Sequence, residues 1–394
     1  MPLLRPADGL PAVVGDHAAL LRTAEVLAAG HGPVAVDAER ASGFRYSQRA
    51  YLVQLRRAGA GTALVDPIPL GGEVAPLAAA LTQPEWVLHA ASQDLPCLAE
   101  IGLVPSRLFD TELAGRLAGL PRVGLGPLVE QMLGLSLEKG HGAADWSRRP
   151  LPEEWLVYAA LDVEVLIELR NVLSAMLADQ GKLDWAVQEF EAVRTAGPPA
   201  PRAEPWRRTS GIHRIRKPRM LAVVRALWEA RDRLAAERDV APGRILPDSA
   251  IVDAAAADPE SRAALAALPV FRGRAQRRLT DYWFDAVAAA NRLDAADLPR
   301  SAAAHDGPPP VARWADRDPD AAARLAAARA GVTALSEQWT VPVENLVQPE
   351  LMRRICWSPP ADGDVAAVLR AGGARPWQVE LVTPVLERAL AVRA

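Results

Sequence analysis

Five side chains in three separate segments could carry chemistry: Asp37 and Glu39 in VAVDAER (34–40), Asp94 in HAASQDL (89–95), and Tyr158 and Asp162 in YAALD (158–162). The first segment is typical of a strand, and alternate residues of a strand point to the same face. Two carboxylates on one face repel each other and are costly to bury unless a cation lies between them. The alternative for this pair alone is a strand that ends in solvent with two surface acids.

The other two acids lie on predicted helices. Asp94 falls in the first turn of a helix for which Ser92 is the predicted N-cap, so favourable interaction with the helix dipole is an alternative explanation for this acid. Asp162 follows Tyr158 by four residues and shares its helix face, which is otherwise apolar. A buried carboxylate needs a metal or a donor, and a salt bridge to Arg170 or to a neighbouring loop is the alternative for Asp162.

A cluster of these four carboxylates is suited to two Mg²⁺ or Mn²⁺ ions, because hard cations prefer oxygen ligands. Two such ions can generate hydroxide from water and stabilise the charge that builds on a phosphate during phosphodiester hydrolysis. Tyr158, one helical turn from Asp162, would hold or deprotonate the attacking water. The sequence therefore predicts a metal-dependent phosphodiesterase site.

Strands and helices alternate around these residues, as in an α/β domain with a mixed sheet. Segments 33–67 have the pattern of a three-strand meander with glycine and serine turns. A helix is predicted at about 73–82, and FDTELAGRL (109–117) has the pattern of a brief strand that leads into a helix. One long amphipathic helix is predicted from Pro152 to Leu177.

Composition sets broader limits. The 394 residues have a formal net charge of −3, so no global basic field attracts nucleic acid and any such binding needs local patches or metals. Cys97 and Cys356 are far apart and show no metal-site or disulfide spacing, which favours a reducing compartment. No run of eighteen apolar residues occurs. We expect a soluble, cytoplasmic monomer with no membrane association.

The C-terminal half is helical in pattern and is interrupted by two proline-rich segments, TAGPPAPRAEPWRRTSG (195–211) and HDGPPPVARWADRDPD (305–320). Two stretches of this half look alike, APGRILPDSAI (241–251) and VPVENLVQPEL (341–351). Their alignment requires a one-residue insertion. They predict a tandem repeat of small helical domains, and the alternative is a chance likeness between two helix–proline–helix connections.

The motifs VDAE (36–39), HAASQDL and YAALD resemble, in this order, the three exonuclease motifs of the tyrosine branch of the DEDD superfamily. FDTELAGRL and LEKGHGAADWSRRPL (137–151) resemble ribonuclease D in particular, and 218–290 is similar to the HRDC domain that follows the nuclease in those enzymes. The resemblance covers residues 11 to 290. Ala91 and Gln93 stand where the family often has glycine and an acid, which leaves the ligand set complete.

This resemblance implies an α/β ribonuclease H-like exonuclease domain, a mixed sheet with flanking helices, followed by all-α HRDC-type domains. We assign residues 1–197 to the exonuclease, 198–211 to a linker, 212–293 to the HRDC domain, 294–318 to a linker and 319–394 to a second, HRDC-like domain. The implied activity releases nucleoside 5′-monophosphates from RNA 3′ ends. The implied metal ligands are Asp37, Glu39, Asp94 and Asp162, and these four together with Tyr158 form the implied catalytic set.

The expected partner is the 3′ end of single-stranded RNA, in tRNA or another structured RNA. A DNA 3′ exonuclease and a non-catalytic nucleic-acid-binding scaffold are the competing hypotheses, since no motif marks a contact to the 2′-hydroxyl. One candidate binding segment contains Arg202, Arg207, Arg208, Arg214, Arg216, Lys217 and Arg219, with Trp206 and His213 among them. A second contains Arg272, Arg274, Arg277 and Arg278. A solvated linker and ordinary surface arginines are the respective alternatives.

Three further residues are candidates for a role near the site. Asp110 is assigned a structural role. His141 and Lys139 lie in a glycine-containing loop ahead of the Tyr158 helix and could reach the scissile phosphate, but a mobile loop with no catalytic role is favoured.

Overall fold

The computed structural model describes residues 2–137, 140–198, 200–301 and 307–394. Its strands are β1 Pro2–Leu3, β2 Val13–Val14, β3 His31–Glu39, β4 Leu52–Ala58, β5 Gly61–Val65, β6 Trp86–Leu88, β7 Leu108–Asp110 and β8 Ser136–Leu137. Six of them form one sheet in the order β2-β5-β4-β3-β6-β7, and β1 pairs with β8. The β3–β4–β5 meander is antiparallel and the other pairs are parallel. The predicted meander and mixed sheet are confirmed.

Eight helices flank this sheet: α1 His17–Ala29, α2 Ala75–Ala80, α3 Leu95–Glu100, α4 Thr111–Leu117, α5 Leu125–Leu133, α6 Glu153–Glu164, α7 Leu166–Asp179 and α8 Leu183–Thr195, counted over the described residues. The single helix predicted from Pro152 to Leu177 is wrong, because the helix is interrupted at the buried Val165. α6 packs on β3, β4 and β5, whereas α7 packs on β3, β6, α4 and α5. The interruption thus separates two helices that pack on different parts of the sheet.

The predicted N-cap at Ser92 is also wrong. Ala91–Gln93 form a short 3₁₀ turn that includes Ser92, and α3 begins after Asp94. The carboxylate of Asp110 accepts hydrogen bonds from the amides of Ala90 and Ala91 at the start of this turn, at 3.1 and 2.8 Å. A side chain from the next strand therefore takes the role that the sequence pattern gave to Ser92.

The C-terminal half is entirely helical in the part that the structure describes: α9 Pro218–Arg238, α10 Pro242–Ile245, α11 Asp248–Ala257, α12 Arg262–Ala266, α13 Arg274–Arg277, α14 Thr280–Asn291, α15 Trp314–Arg317, α16 Pro319–Trp339, α17 Val343–Leu346, α18 Pro349–Trp357, α19 Val365–Ala371 and α20 Pro376–Leu390. Helices thus follow the α/β domain, and the predicted fold class is confirmed. None of the described helices combines the length and the apolar character that a membrane span requires.

Two sets of three helices repeat in this half. The helices α16, α17 and α18 start at 319, 343 and 349, each 101 residues after the starts of α9, α10 and α11 at 218, 242 and 248. Both long helices end at a left-handed residue, Asp239 with φ 47° and Thr340 with φ 52°. The equivalence needs no insertion. Pro242 is the first residue of α10 and Pro342 precedes α17, and proline is compatible with either position.

Each predicted linker contains a tryptophan that is buried in a helical core. Trp206 is buried in the core formed by α9, α11 and α14, and Trp314 is fully buried beside α16. The indole N–H of Trp314 donates to the Pro309 carbonyl at 2.8 Å. Proline and charge dominate the composition of both segments, but a single large aromatic residue buries enough apolar surface to order the chain around it.

Each helical domain contacts the exonuclease domain. Near the C-terminus, the Trp185 and Trp377 rings stack at a centroid distance of 4.9 Å, and the buried Glu189 accepts from Arg375 at 2.7 Å. The first helical domain contacts the loop that joins β3 to β4, where the Ser47 amide donates to Asp239 Oδ1 at 2.8 Å. The chain that leaves the predicted ligand Glu39 is thus fixed from outside the sheet.

Gly119 provides a test of the contact between the exonuclease domain and the second helical domain. It has φ 81°, and a Cβ there would lie 2.6 Å from both Cγ2 and the carbonyl oxygen of Thr340. Gly102 has φ 77° with no atom within 4 Å of such a Cβ. Gly102→Ala should cost about 1–2 kcal/mol of backbone strain. Gly119→Ala should cost about 1–3 kcal/mol more because the two domains must separate locally. Thermal melting of both variants measures this difference, and equal Tm values would contradict the contact.

Candidate active site

Three of the predicted ligands converge at the end of β3. Asp37 and Glu39 lie on this strand, and Asp162 lies on α6, which packs across it. Single carboxylate oxygens of the three residues all lie within 4.8 Å of one another. Glu39 is buried, and Asp37 and Asp162 are partly buried. The alternative of two surface acids on a solvated strand end is therefore wrong for Asp37 and Glu39.

The three acids line a cavity of about 420 Å³. Asp94 lines this cavity too, but it lies outside the three-acid group. Its side chain makes no capping hydrogen bond to α3, so capping does not account for it. Its Oδ1 instead lies 3.3 Å from a guanidinium nitrogen of Arg40. Arg170, one alternative partner predicted for Asp162, pairs instead with Glu85 at 2.8 Å.

Burial and mutual repulsion raise the pKa values of these acids. Burial raises the pKa of Asp37 to about 6. Burial, with the charge of Asp37 next in importance, raises the pKa of Asp94 to about 8. Burial and then the charges of Asp37, Asp162 and Asp94 raise the pKa of Glu39 to about 10, and burial raises the pKa of Asp162 well above its ordinary value. Four ionised carboxylates are thus unfavourable here without added positive charge.

Tyr158 lies beside this group. Burial first, and then the charges of Asp162, Glu39 and Asp37, raise the pKa of its phenol. Its hydroxyl donates a hydrogen bond to Asp162, which lowers the pKa of that carboxyl. The ring of His141 meets the tyrosine ring edge to face at 5.8 Å. His141 thus packs against Tyr158, whereas Lys139 lies outside the described residues.

Asp110 has the structural role assigned to it. Its buried carboxylate accepts from the amides of Glu112 and Leu113 at the start of α4, at 2.9 and 3.2 Å, in addition to the two amides ahead of α3. This carboxylate therefore ties the turn that carries Asp94 to the neighbouring strand β7.

Two residues at the site were missed by the sequence analysis. Arg40 lines the cavity beside the acids, and Gln54 lies directly opposite Asp37 on β4. Gln54 is fully buried, and within the described ranges both its amide atoms lack a hydrogen-bond partner. Gln54 could have been found as the one polar residue inside the apolar strand AYLVQL. Arg40 could have been found as a cation that directly follows the predicted ligand Glu39.

The first basic segment divides into paired and exposed residues. Arg207 pairs with Glu204 at 2.6 Å, Arg214 with Asp253 at 3.7 Å, and Arg219 donates to carbonyls at the end of α14. Four exposed cations have no acidic partner within 4 Å in the described part of the chain: Arg202, Arg208, Arg216 and Lys217. Among the described residues of this segment, these four exposed cations could meet a ligand without breaking an ion pair or a hydrogen bond to a carbonyl.

Comparison with known proteins assigns this arrangement to a family. Residues 11–178 match a family described as 3′-5′ exonuclease, 220–287 match the HRDC domain, and 307–390 match a 3′ to 5′ exonuclease C-terminal domain. Ribonuclease D of Gluconacetobacter diazotrophicus is 36% identical over 286 residues, which cover 70% of this chain and 71% of the relative. The chain belongs to the ribonuclease D family. It is a 3′-5′ exoribonuclease.

Solved structures agree over the full length. A protein from Bifidobacterium adolescentis has a TM-score of 0.93 and 38% identity, with 99% of each chain covered. Escherichia coli RNase D has a TM-score of 0.70 and 25% identity, with 96% of this chain and 98% of that chain covered. The ribonuclease D architecture therefore includes both helical domains.

The raised pKa values predict how pH affects the metal-free enzyme. Asp37 and Asp94 have an ordinary pKa of 3.8 and values of about 6 and 8 in the fold, so the folded state binds more protons. Stability without metal should therefore fall as pH rises from about 4 towards 8. A divalent ion bound by these carboxylates would displace the protons, so any rise in Tm caused by Mn²⁺ should be larger at pH 8 than at pH 6. An equal rise at both values would contradict these pKa shifts.

Proposed function

We propose that this exoribonuclease removes nucleoside 5′-monophosphates from the 3′ end of single-stranded RNA with two divalent ions, Mg²⁺ or Mn²⁺. The proposed ligands are Asp37, Glu39, Asp94 and Asp162, and Tyr158 is proposed to orient the attacking water. The main support is the group of three carboxylates within 4.8 Å of one another on the wall of an open cavity.

The residues present fit such ions. All four proposed ligands are carboxylates, which hard divalent cations prefer, and their raised pKa values mark a site that is short of positive charge. Mg²⁺ usually retains water and binds substrate phosphate in addition to one or two carboxylates. A cavity of about 420 Å³ leaves room for both beside the acids.

The proposed ions, Tyr158 and the apolar residues of the cavity each have a defined task in this mechanism. The ions, when bound, supply Lewis acidity to the water and to the phosphate. Burial and the nearby carboxylates raise the pKa of the Tyr158 phenol, so we expect its protonated form to hold the water by hydrogen bonding. Its hydroxyl is fixed next to Asp162, one helical turn away. Leu137, Leu125 and Pro127 form an apolar wall of the cavity, which suits the 3′-terminal nucleoside.

Structured RNA, including tRNA, is the proposed source of these 3′ ends. The structure of Escherichia coli RNase D, which matches 96% of this chain, is described as that of an exoribonuclease involved in structured RNA processing. The exposed cations Arg202, Arg208, Arg216 and Lys217 on the first helical domain offer a second contact for such a substrate.

The test is a time course on matched RNA and DNA oligonucleotides, each labelled at the 5′ end, with Mg²⁺, Mn²⁺ or EDTA. We expect a ladder that shortens from the 3′ end of RNA, with nucleoside 5′-monophosphates as products and no reaction in EDTA. Faster shortening of DNA would favour the DNA exonuclease hypothesis. Binding of RNA without shortening in either metal would favour the scaffold hypothesis.

A further inference from the structure

Arg40 lies at the site, and the proposed mechanism gives its side chain no task. It directly follows Glu39, and it lines the cavity together with the acids and Tyr158. Among the described residues that line this cavity, no other is a lysine or an arginine. Its side chain is 27% exposed, so the guanidinium can be reached from the cavity.

The guanidinium contacts the one acid that stands apart from the others. Asp94 lies outside the three-acid group, and a terminal nitrogen of Arg40 is 3.3 Å from its Oδ1. The pair is looser than that of Arg149 with Asp66, whose two hydrogen bonds measure 2.6 and 2.8 Å. A metal ion that takes Asp94 as a ligand therefore competes with a weak contact.

The backbone around Arg40 is fixed without help from its side chain. The amide of Tyr51 donates to the Glu39 carbonyl at 2.8 Å, and that of Phe44 donates to the Ala41 carbonyl at 2.8 Å. The amide of Ala241 in the first helical domain donates to the Phe44 carbonyl at 3.0 Å. The guanidinium can thus leave Asp94 without a rearrangement of the loop.

We propose that Arg40 binds the non-bridging oxygens of the scissile phosphate once a metal ion has taken Asp94. A guanidinium presents planar donors that match phosphate oxygens, and it keeps its charge at all working pH values. Negative charge builds on these oxygens during hydrolysis, so the contact strengthens as the reaction proceeds. In the metal-free protein the same guanidinium offsets part of the charge on Asp94. This inference rests on the proposed two-ion site.

The experiment measures binding of AMP and of adenosine to the full chain in Mn²⁺ by calorimetry. Arg40→Met keeps most of the side-chain length and removes the charge. We expect it to weaken AMP binding about tenfold, the size of one charge-assisted hydrogen bond, and to leave adenosine binding unchanged. Arg49→Met is the control, because it makes the same charge change on the same loop, where Arg49 pairs with Asp239 and does not line the cavity.

Titration with Mn²⁺ alone separates this role from simple support of Asp94. Arg40→Met should bind Mn²⁺ several-fold more tightly than the parent protein, because a competing cation is gone. Weaker Mn²⁺ binding, or unchanged AMP binding, would overturn the inference even though the parent protein binds Mn²⁺ and shortens RNA. A parent protein that does neither would instead overturn the proposed function. Melting curves of both variants establish that they are folded.

Discussion

Asp37→Asn is expected to lower kcat/KM on RNA by a factor on the order of a thousand or more, while the metal-free protein becomes more stable. The loss reflects several kcal/mol of transition-state stabilisation by metal that this variant holds poorly. The gain follows because Asp37 contributes to the raised pKa of Glu39, Asp94 and Asp162, so its removal relieves repulsion. Initial rates in Mg²⁺ and melting curves in EDTA measure the two effects.

Asp66→Asn is the matched control for stability. Asp66 is also a buried acid, but its carboxylate pairs with Arg149, whose guanidinium donates two hydrogen bonds to it at 2.6 and 2.8 Å. Its replacement should lower the Tm in EDTA, the opposite sign to Asp37→Asn. A lower Tm for both variants would mean that Asp37 stabilises the fold and that repulsion from the neighbouring carboxylates does not destabilise it.

Tyr158→Phe is expected to reduce kcat by about 10²–10⁴-fold and to leave Mn²⁺ affinity within about twofold of the parent value. The variant keeps the ring that packs against His141 and removes only the hydroxyl that meets Asp162. Single-turnover rates and calorimetry with Mn²⁺ report the two quantities. Equal loss of both would show that the hydroxyl supports the metal ligands and does not orient water.

The convergence of the site could be predicted from sequence because each part of it has a local pattern. Strand alternation places Asp37 and Glu39 on one face, and helical spacing places Tyr158 beside Asp162. Both features are properties of a few consecutive residues. The family resemblance then related these segments to Asp94, which no local pattern could do.

The remaining features depend on contacts between distant residues. The amides ahead of Asp94 are capped by Asp110 from the next strand, so a search for a local N-cap chose Ser92 wrongly. The interruption at Val165 separates α6 and α7, which pack on different strands and helices. Arg40 and Asp94 are 54 positions apart in the chain, so the local sequence around either residue does not indicate that they pair.

The central claim is that four carboxylates hold two divalent ions at a single site. Crystals grown with Mn²⁺ and AMP, recorded near the manganese absorption edge, test it directly through anomalous scattering. The account predicts two peaks in contact with Asp37, Glu39, Asp94 and Asp162, and a phosphate between them. A single peak, or none among these four side chains, would contradict it.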